Sequence, residues 1–124
     1  MIEGLHHVAV LASEKERTVS FYEALGFRVR ECHVRPERRD EIVFMEQSGV
    51  TLEIFISRGN PPRTSNPEAY GLRHLALRAG NAQAVRRSLL SAGWQPEEMR
   101  EDTFDGKAMF FVKDPDGLPI EIHE

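Results

Sequence analysis

Two histidines and two glutamates recur at matching positions in the two halves of this 124-residue chain. His7 lies in the segment LHHVAV and His74 in LRHLAL, 67 positions later. Glu53 lies in SGVTLEI and Glu121 in DGLPIEI, 68 positions later. Neutral imidazole and carboxylate groups are common ligands of divalent transition metals. The set therefore predicts a metal site that is built from two equivalent His–Glu pairs.

Each of these residues also has an ordinary structural interpretation. A histidine in a strand is more often a packed or exposed side chain than a metal ligand. A glutamate between aliphatic residues usually marks the solvent side of an amphipathic strand. The recurrence of both residue types at the same repeat positions favours the metal site.

The four residues belong to an internal repeat that covers most of the chain. Gly26 and Gly93 are also 67 positions apart, and a lone unit of about 60 residues would be only marginally stable. We expect one domain over residues 1–124, with modules at about 4–57 and 71–124 and a Gly- and Pro-rich linker at 58–70.

Hydrophobic periodicity gives both modules the order βαβββ, an α+β fold. Ser13, followed by Glu16, and Asn81 are the predicted N-caps of the two helices. The predicted strands of the first module are Leu5–Leu11, Phe27–Val34, Glu41–Glu46 and Thr51–Ile56. Those of the second module are Arg73–Arg78, Gln95–Arg100, Lys107–Lys113 and Leu118–His123.

Strand alternation predicts which way the four polar side chains point. Val8 and Val10 are expected to cover the first helix, so His7 points to the other face. Glu53 and Glu121 each stand between two aliphatic residues and are expected on the same polar face as the histidines. All four would then point to a concave side of the fold.

Composition excludes several other classes of protein. The formal net charge of −4 gives no electrostatic support for nucleic-acid binding. No apolar run reaches the roughly 20 residues of a membrane span, and the N-terminus lacks the pattern of a signal peptide. Because Cys32 is the single cysteine, no disulfide forms within the chain, and we expect a cytoplasmic protein.

The tandem βαβββ pattern, the four His and Glu residues and the segment DPDGLPIE at 114–121 resemble the vicinal oxygen chelate superfamily. The resemblance implies the glyoxalase/bleomycin-resistance/dioxygenase fold, in which the modules form an incompletely closed, cup-shaped β-barrel. Relatives with dioxygenase or fosfomycin-modifying activity typically have His where Glu53 stands. Glu53 therefore makes the set most similar to glyoxalase I (lactoylglutathione lyase).

This resemblance implies a lyase or isomerase acting on a hemithioacetal or small α-carbonyl substrate. One divalent ion per site, Ni²⁺ or Zn²⁺, would be held by His7, Glu53, His74 and Glu121 and would stabilise an enediolate. Glu121 would act as the base, with Glu53 as its symmetry-related counterpart.

Two positions depart from the glyoxalase I pattern. Leu11 stands where an Arg helps to hold a glutathione carboxylate, and Ser57 stands where an Asn is found. Loss of a charge-assisted pair weakens binding by about 1.5–3 kcal/mol, which argues against glutathione as the thiol. Arg78, the repeat mate of Leu11, is either a substrate-binding cation or an exposed arginine at a strand end.

Further expectations concern the lining of the site and the partners of the protein. Phe55 and His123 each follow a ligand carboxylate by two positions and so could contact substrate, although packing explains Phe55 equally well. We expect a homodimer, in which each site is built within one chain or across two. Two other functions stay open: sequestration of a small molecule, and a related metal-dependent dioxygenase or thiol transferase.

Overall fold

The computed structural model describes residues 1–124 and contains two α-helices, one short 3₁₀ helix (Pro36–Arg38) and eight strands. The elements of the first half are β1 (Val8–Ala12), α1 (Lys15–Ala24), β2 (Arg28–Arg35), β3 (Asp40–Gln47) and β4 (Val50–Ile56). Those of the second half are β5 (Leu75–Arg78), α2 (Ala82–Ser91), β6 (Arg100–Glu101), β7 (Ala108–Lys113) and β8 (Pro119–His123). The predicted α+β fold with two βαβββ modules is confirmed.

Both modules form an open, mixed four-stranded sheet of the same topology. The strand order is β1-β4-β3-β2 in the first sheet and β5-β8-β7-β6 in the second. The first strand of each module pairs in parallel with the last, and the remaining pairs are antiparallel. The module therefore places the His-bearing segment directly beside the Glu-bearing strand.

One face of each sheet is buried and the other is open. In the first sheet the buried face carries Val43, Met45, Leu52 and Ile54, all 0% exposed. In the second sheet Phe110, Val112, Ile120 and Ile122 form the corresponding core. The opposite side of each sheet, which we call the open face, presents the intervening residues. Because successive side chains alternate in a strand, Glu53 and Glu121 lie on the open faces, as predicted.

One of the two predicted helix N-caps is found in the structure, and the other is not. Asn81 caps α2 as predicted, and its Oδ1 accepts a hydrogen bond of 2.8 Å from the Ala84 amide. The prediction of Ser13 as the first N-cap was wrong, because α1 is capped by Glu14. The Glu14 carboxylate accepts hydrogen bonds from the amides of Glu16 and Arg17, and these contacts lower the pKa of Glu14.

Contacts divide the chain into two compact units, Met1–Pro61 and Pro62–Glu124. The boundary falls within the segment 58–70 that was expected to link the modules. No helix combines the length and the apolar character that a bilayer crossing requires.

Candidate metal centre

The first unit brings His7 and Glu53 into direct contact. Nε2 of His7 lies 2.9 Å from Oε2 of Glu53 on the open face of the sheet. The contact follows from strand register, because Ala9 of β1 pairs with Glu53 of β4 and His7 precedes Ala9 by two residues. Nδ1 of His7 lies 2.8 Å from Nδ1 of His6. When Nδ1 of His7 is the donor in this contact, Nε2 of His7 keeps its lone pair and can bind a metal ion.

The second unit repeats this arrangement with His74 and Glu121. Nε2 of His74 lies 3.0 Å from Oε2 of Glu121, and Ala76 of β5 is the strand partner of Glu121. The Glu121 side chain is 12% exposed, compared with 18% for Glu53. The structure thus brings the four predicted residues together as two pairs, each pair within one unit.

The donor atoms of each pair fit a divalent metal. Two ligands on adjacent corners of an octahedron with bonds of about 2.1 Å lie about 3.0 Å apart. The observed N···O separations of 2.9 and 3.0 Å match this value. They also match a direct hydrogen bond between an imidazole N–H and a carboxylate, so each pair is satisfied with or without an ion.

An arginine stacked on a phenylalanine accompanies each pair. Phe44 is the β3 partner of Glu53, and the Arg30 guanidinium lies 5.3 Å from the centre of its ring. Phe111 is the β7 partner of Glu121, and the Arg100 guanidinium lies 5.2 Å from its centre. The His74 ring contacts Phe111 edge to face at 5.2 Å. Sequence reasoning missed these two pairs, although Phe44 and Phe111 are 67 positions apart like the histidines.

A third carboxylate lies beside the second pair. Ligand atoms of Asp102, Glu121 and His123 all lie within 4.8 Å of one another, a grouping that could hold a metal ion. The backbone N–H of Phe104 donates to Asp102 at 2.7 Å and lowers the pKa of this carboxyl group. No sequence pattern marked Asp102, because its position depends on the turn that precedes β7.

His123 lies on the open face of β8, two residues after Glu121. Its Nδ1 contacts the backbone carbonyl of Glu124 at 2.9 Å, and its Nε2 lies 3.4 Å from Asp105 and 3.8 Å from Asp102. The hydrogen bond to the Glu124 carbonyl raises the pKa of His123, and the nearby carboxylates of Asp105, Glu121 and Asp102 raise it further.

The other predicted lining residues lie on the open faces as well. Phe55 of β4 pairs with Ile42 of β3, and the Arg35 guanidinium lies 5.3 Å from the centre of the Phe55 ring. Arg78 is exposed at the end of β5, where it pairs in register with His123. Both positions therefore lie on the same face of the sheet as the glutamate of their own unit.

Comparisons with known proteins agree with this architecture. A sequence model of the Glyoxalase/Bleomycin resistance protein/Dioxygenase superfamily matches residues 4–122. The Bacillus subtilis (strain 168) protein YwkD, which is named as uncharacterized, is 35% identical over 126 residues that cover 100% of this chain and 98% of YwkD. A glyoxalase family protein from Enterococcus faecalis, whose crystal structure is known, is 46% identical, with a TM-score of 0.92 and 98% of each chain covered.

A more distant structure shares the fold. The E144Q mutant of glyoxalase I from Zea mays is 18% identical, with a TM-score of 0.80, and the match covers 94% of this chain and 43% of the maize chain. Taken with the match to residues 4–122, these findings show that the chain belongs to the Glyoxalase/Bleomycin resistance protein/Dioxygenase superfamily.

Proposed function

We propose that the protein is a metal-dependent lyase or isomerase of the glyoxalase I type that acts on a hemithioacetal or another small α-carbonyl compound. One observation carries the proposal: each module holds a histidine Nε2 within 3.0 Å of a glutamate oxygen on its open face. Membership of the superfamily supports it, because the fold matches that of a glyoxalase I.

Four side chains would hold the ion in this proposal: His7, Glu53, His74 and Glu121. Two imidazoles and two carboxylates are a donor set that would suit Ni²⁺ or Zn²⁺. A bound divalent ion supplies Lewis acidity, which makes a proton on the carbon next to a carbonyl easier to remove.

Glu121 is the proposed base. Its carboxylate would take the proton from the carbon that bears the hydroxyl and return it to the neighbouring carbon, so that the substrate is isomerised without a net change in protons. Glu121 is the less exposed of the two glutamates, which favours proton transfer shielded from water. Glu53 keeps the corresponding position in the first module and would hold the ion.

We propose a homodimer in which each site combines His7 and Glu53 of one chain with the second-module pair of the other. Leu5, which precedes β1 near His7, and Leu11 of β1 are 76% and 60% exposed in the single chain. Exposed apolar side chains at a polar site favour coverage by a second copy. Dimerisation would bury these apolar side chains and would also bring the two His–Glu pairs into one metal site.

The thiol of the hemithioacetal is proposed to differ from glutathione. Leu11 is an exposed aliphatic residue beside Phe55 in register, and it offers no charge to a substrate carboxylate. The first module therefore lacks the cation that the glyoxalase I pattern has at this position.

Sequestration of a small molecule is the second candidate function. It is favoured by the direct His–Glu contacts, because each pair satisfies its own hydrogen bonds without an ion. The proposed isomerisation requires a bound metal ion, whereas sequestration of a small molecule does not.

A substrate panel tests the proposal. Protein loaded with Ni²⁺, with Zn²⁺ or with no metal is assayed with methylglyoxal plus glutathione and other small thiols, and with catechols in the presence and absence of oxygen. We expect metal-dependent isomerisation of a hemithioacetal and no oxygen consumption. Binding of a panel compound without turnover in any metal form would contradict the proposal and favour sequestration. Oxygen-dependent cleavage of a catechol would instead identify a dioxygenase.

A further inference from the structure

A cavity of about 450 Å³ in the second unit opens beside His74 and carries an excess of positive charge. The charged side chains that line it are four cations and one carboxylate, namely Arg63, Arg73, Arg100, Lys113 and Glu68. This excess stands out in a chain whose formal net charge is −4. The ring of Phe111 forms part of the wall.

Two of the four cations are already engaged by the protein. Arg73 forms a bidentate pair with Glu68, with N···O distances of 2.8 and 3.0 Å. Arg63 donates to the backbone carbonyls of Leu72 and Arg73 at 2.6 and 2.9 Å. These contacts fix both guanidinium groups in the wall of the cavity and give each of them a partner within the protein.

Arg100 and Lys113 remain available. The ion pair of Arg100 with Glu97 is 3.7 Å long, beyond hydrogen-bonding distance. Lys113 is exposed and forms no ion pair. Strand alternation places Phe111 and Lys113 on the same face of the sheet as Glu121. The two cations therefore lie on either side of Phe111, next to the proposed metal ligands.

The first module serves as an internal comparison. Arg30 stacks on Phe44 just as Arg100 stacks on Phe111. The first-module residue that matches Lys113, however, is Glu46, whose Oε2 lies 3.5 Å from Nη1 of Arg30. Arg30 also pairs with Glu31 at 3.1 Å. In the first module, carboxylates neutralise the arginine that stacks on the phenylalanine. In the second module, a lysine replaces one of these carboxylates and the local charge stays positive, although the two His–Glu pairs are alike.

We infer that Arg100 and Lys113 bind an oxyanion group of the substrate, a carboxylate, phosphonate or phosphate, beside His74. The inference deepens the proposed function and rests on it. A site with symmetric metal ligands cannot by itself distinguish the two ends of a small substrate. An anionic group held on the second module only would fix the orientation of the substrate and place its reacting carbon consistently near Glu121.

The test is a titration of the metal-free full-length protein with inorganic phosphate, methylphosphonate or acetate at low ionic strength, followed by amide NMR shifts near Phe111 and Lys113. We expect Lys113→Gln to raise the apparent Kd for the most tightly bound of these anions about tenfold or more. Lys113→Arg should retain binding, and Lys113→Glu, which installs the residue type of Glu46, should abolish it. Lys107→Gln is the matched control, since Lys107 is an exposed lysine of the same module outside the cavity.

Equal weakening by Lys107→Gln and Lys113→Gln would show general charge screening and overturn the inference, as would the absence of saturable shifts. Ni²⁺ binding is measured separately on the same variants. Ni²⁺ binding without specific anion binding refutes the anion subsite and leaves the proposed function standing. Specific anion binding without Ni²⁺ binding refutes the proposed function and keeps the oxyanion site.

Discussion

His74 and Glu121 are 47 positions apart in the sequence, yet Nε2 of one lies 3.0 Å from Oε2 of the other. A parallel strand pair creates the contact, because Ala76 lies opposite Glu121 and His74 is the next residue on that face. Ala9 takes the same place between His7 and Glu53. A methyl side chain at this position leaves space for the imidazole to reach the carboxylate.

This relationship predicts the effect of a larger side chain at Ala76. Ala76→Leu should lower the affinity for Ni²⁺ by about tenfold or more, because the isobutyl group competes with the imidazole for the space beside Glu121. Ala76 is exposed, so the melting temperature of the metal-free protein should change little. Calorimetric titration with Ni²⁺ and thermal unfolding measure the two effects. Unchanged affinity in a folded variant would contradict the role of the small residue.

The two glutamates are predicted to differ in catalysis. Glu121→Gln should lower kcat by about 10²–10⁴-fold, because the amide cannot accept the substrate proton. Glu53→Gln is the matched variant from the other module and should lower kcat less, through weaker ion binding. Steady-state kinetics on fully Ni²⁺-loaded protein separate the two effects. A larger loss of kcat in Glu53→Gln would reverse the proposed roles.

Mixing two inactive variants tests whether the site is shared between chains. One variant carries His7→Ala and Glu53→Ala, and the other carries His74→Ala and Glu121→Ala. In a shared arrangement, a mixed dimer contains one site with all four ligands. Subunit exchange between the two inactive proteins should therefore restore about a quarter of the wild-type activity at full exchange, since half of the dimers are mixed and each has one of two sites. Activity that stays at the background level after verified exchange would place each site within one chain.

Acid should weaken the contribution of one ion pair to stability. Arg35 donates two hydrogen bonds to Asp40, at 2.8 and 2.6 Å, and thereby lowers the pKa of Asp40 below its ordinary value. The folded state then binds this proton less readily than the unfolded state. The stabilisation is present at neutral pH and is lost as the pH falls below about 4.

The measurement is thermal unfolding of the wild type and of Asp40→Asn at several pH values. The wild type should be the more stable at pH 7, and the difference between the two melting temperatures should shrink as the pH falls below about 4. A difference of the same size throughout that range would show that Asp40 stabilises the fold by something other than its charge.

The sequence was sufficient to predict the faces on which Glu53 and Glu121 lie, because strict alternation with buried aliphatic residues leaves one choice. Strand ends were less predictable. The first strand was expected from Leu5 but begins at Val8, so His7 lies just before β1. The strand expected at Gln95–Arg100 is reduced to Arg100–Glu101. Pro96, within that segment, has no N–H for a strand ladder.

Contacts that depend on turns or on long side chains could not be predicted. Glu14 rather than Ser13 caps α1, because a longer side chain in extended backbone reaches two amides at once. Asp102 reaches His123 through a turn that carries no distinctive pattern. The cationic pair Arg100 and Lys113 required knowledge of strand register, since the two residues are 13 positions apart.

Metal stoichiometry tests the central claim most directly. Purified protein is loaded with Ni²⁺, desalted and analysed by elemental mass spectrometry together with His7→Ala, His74→Ala and the control Asp102→Asn. If both His–Glu pairs hold one ion, the wild type and the control should each retain one Ni²⁺ per chain, and either histidine variant should retain almost none. Two ions per chain, no ion, or loss in Asp102→Asn with retention in His7→Ala would contradict the account.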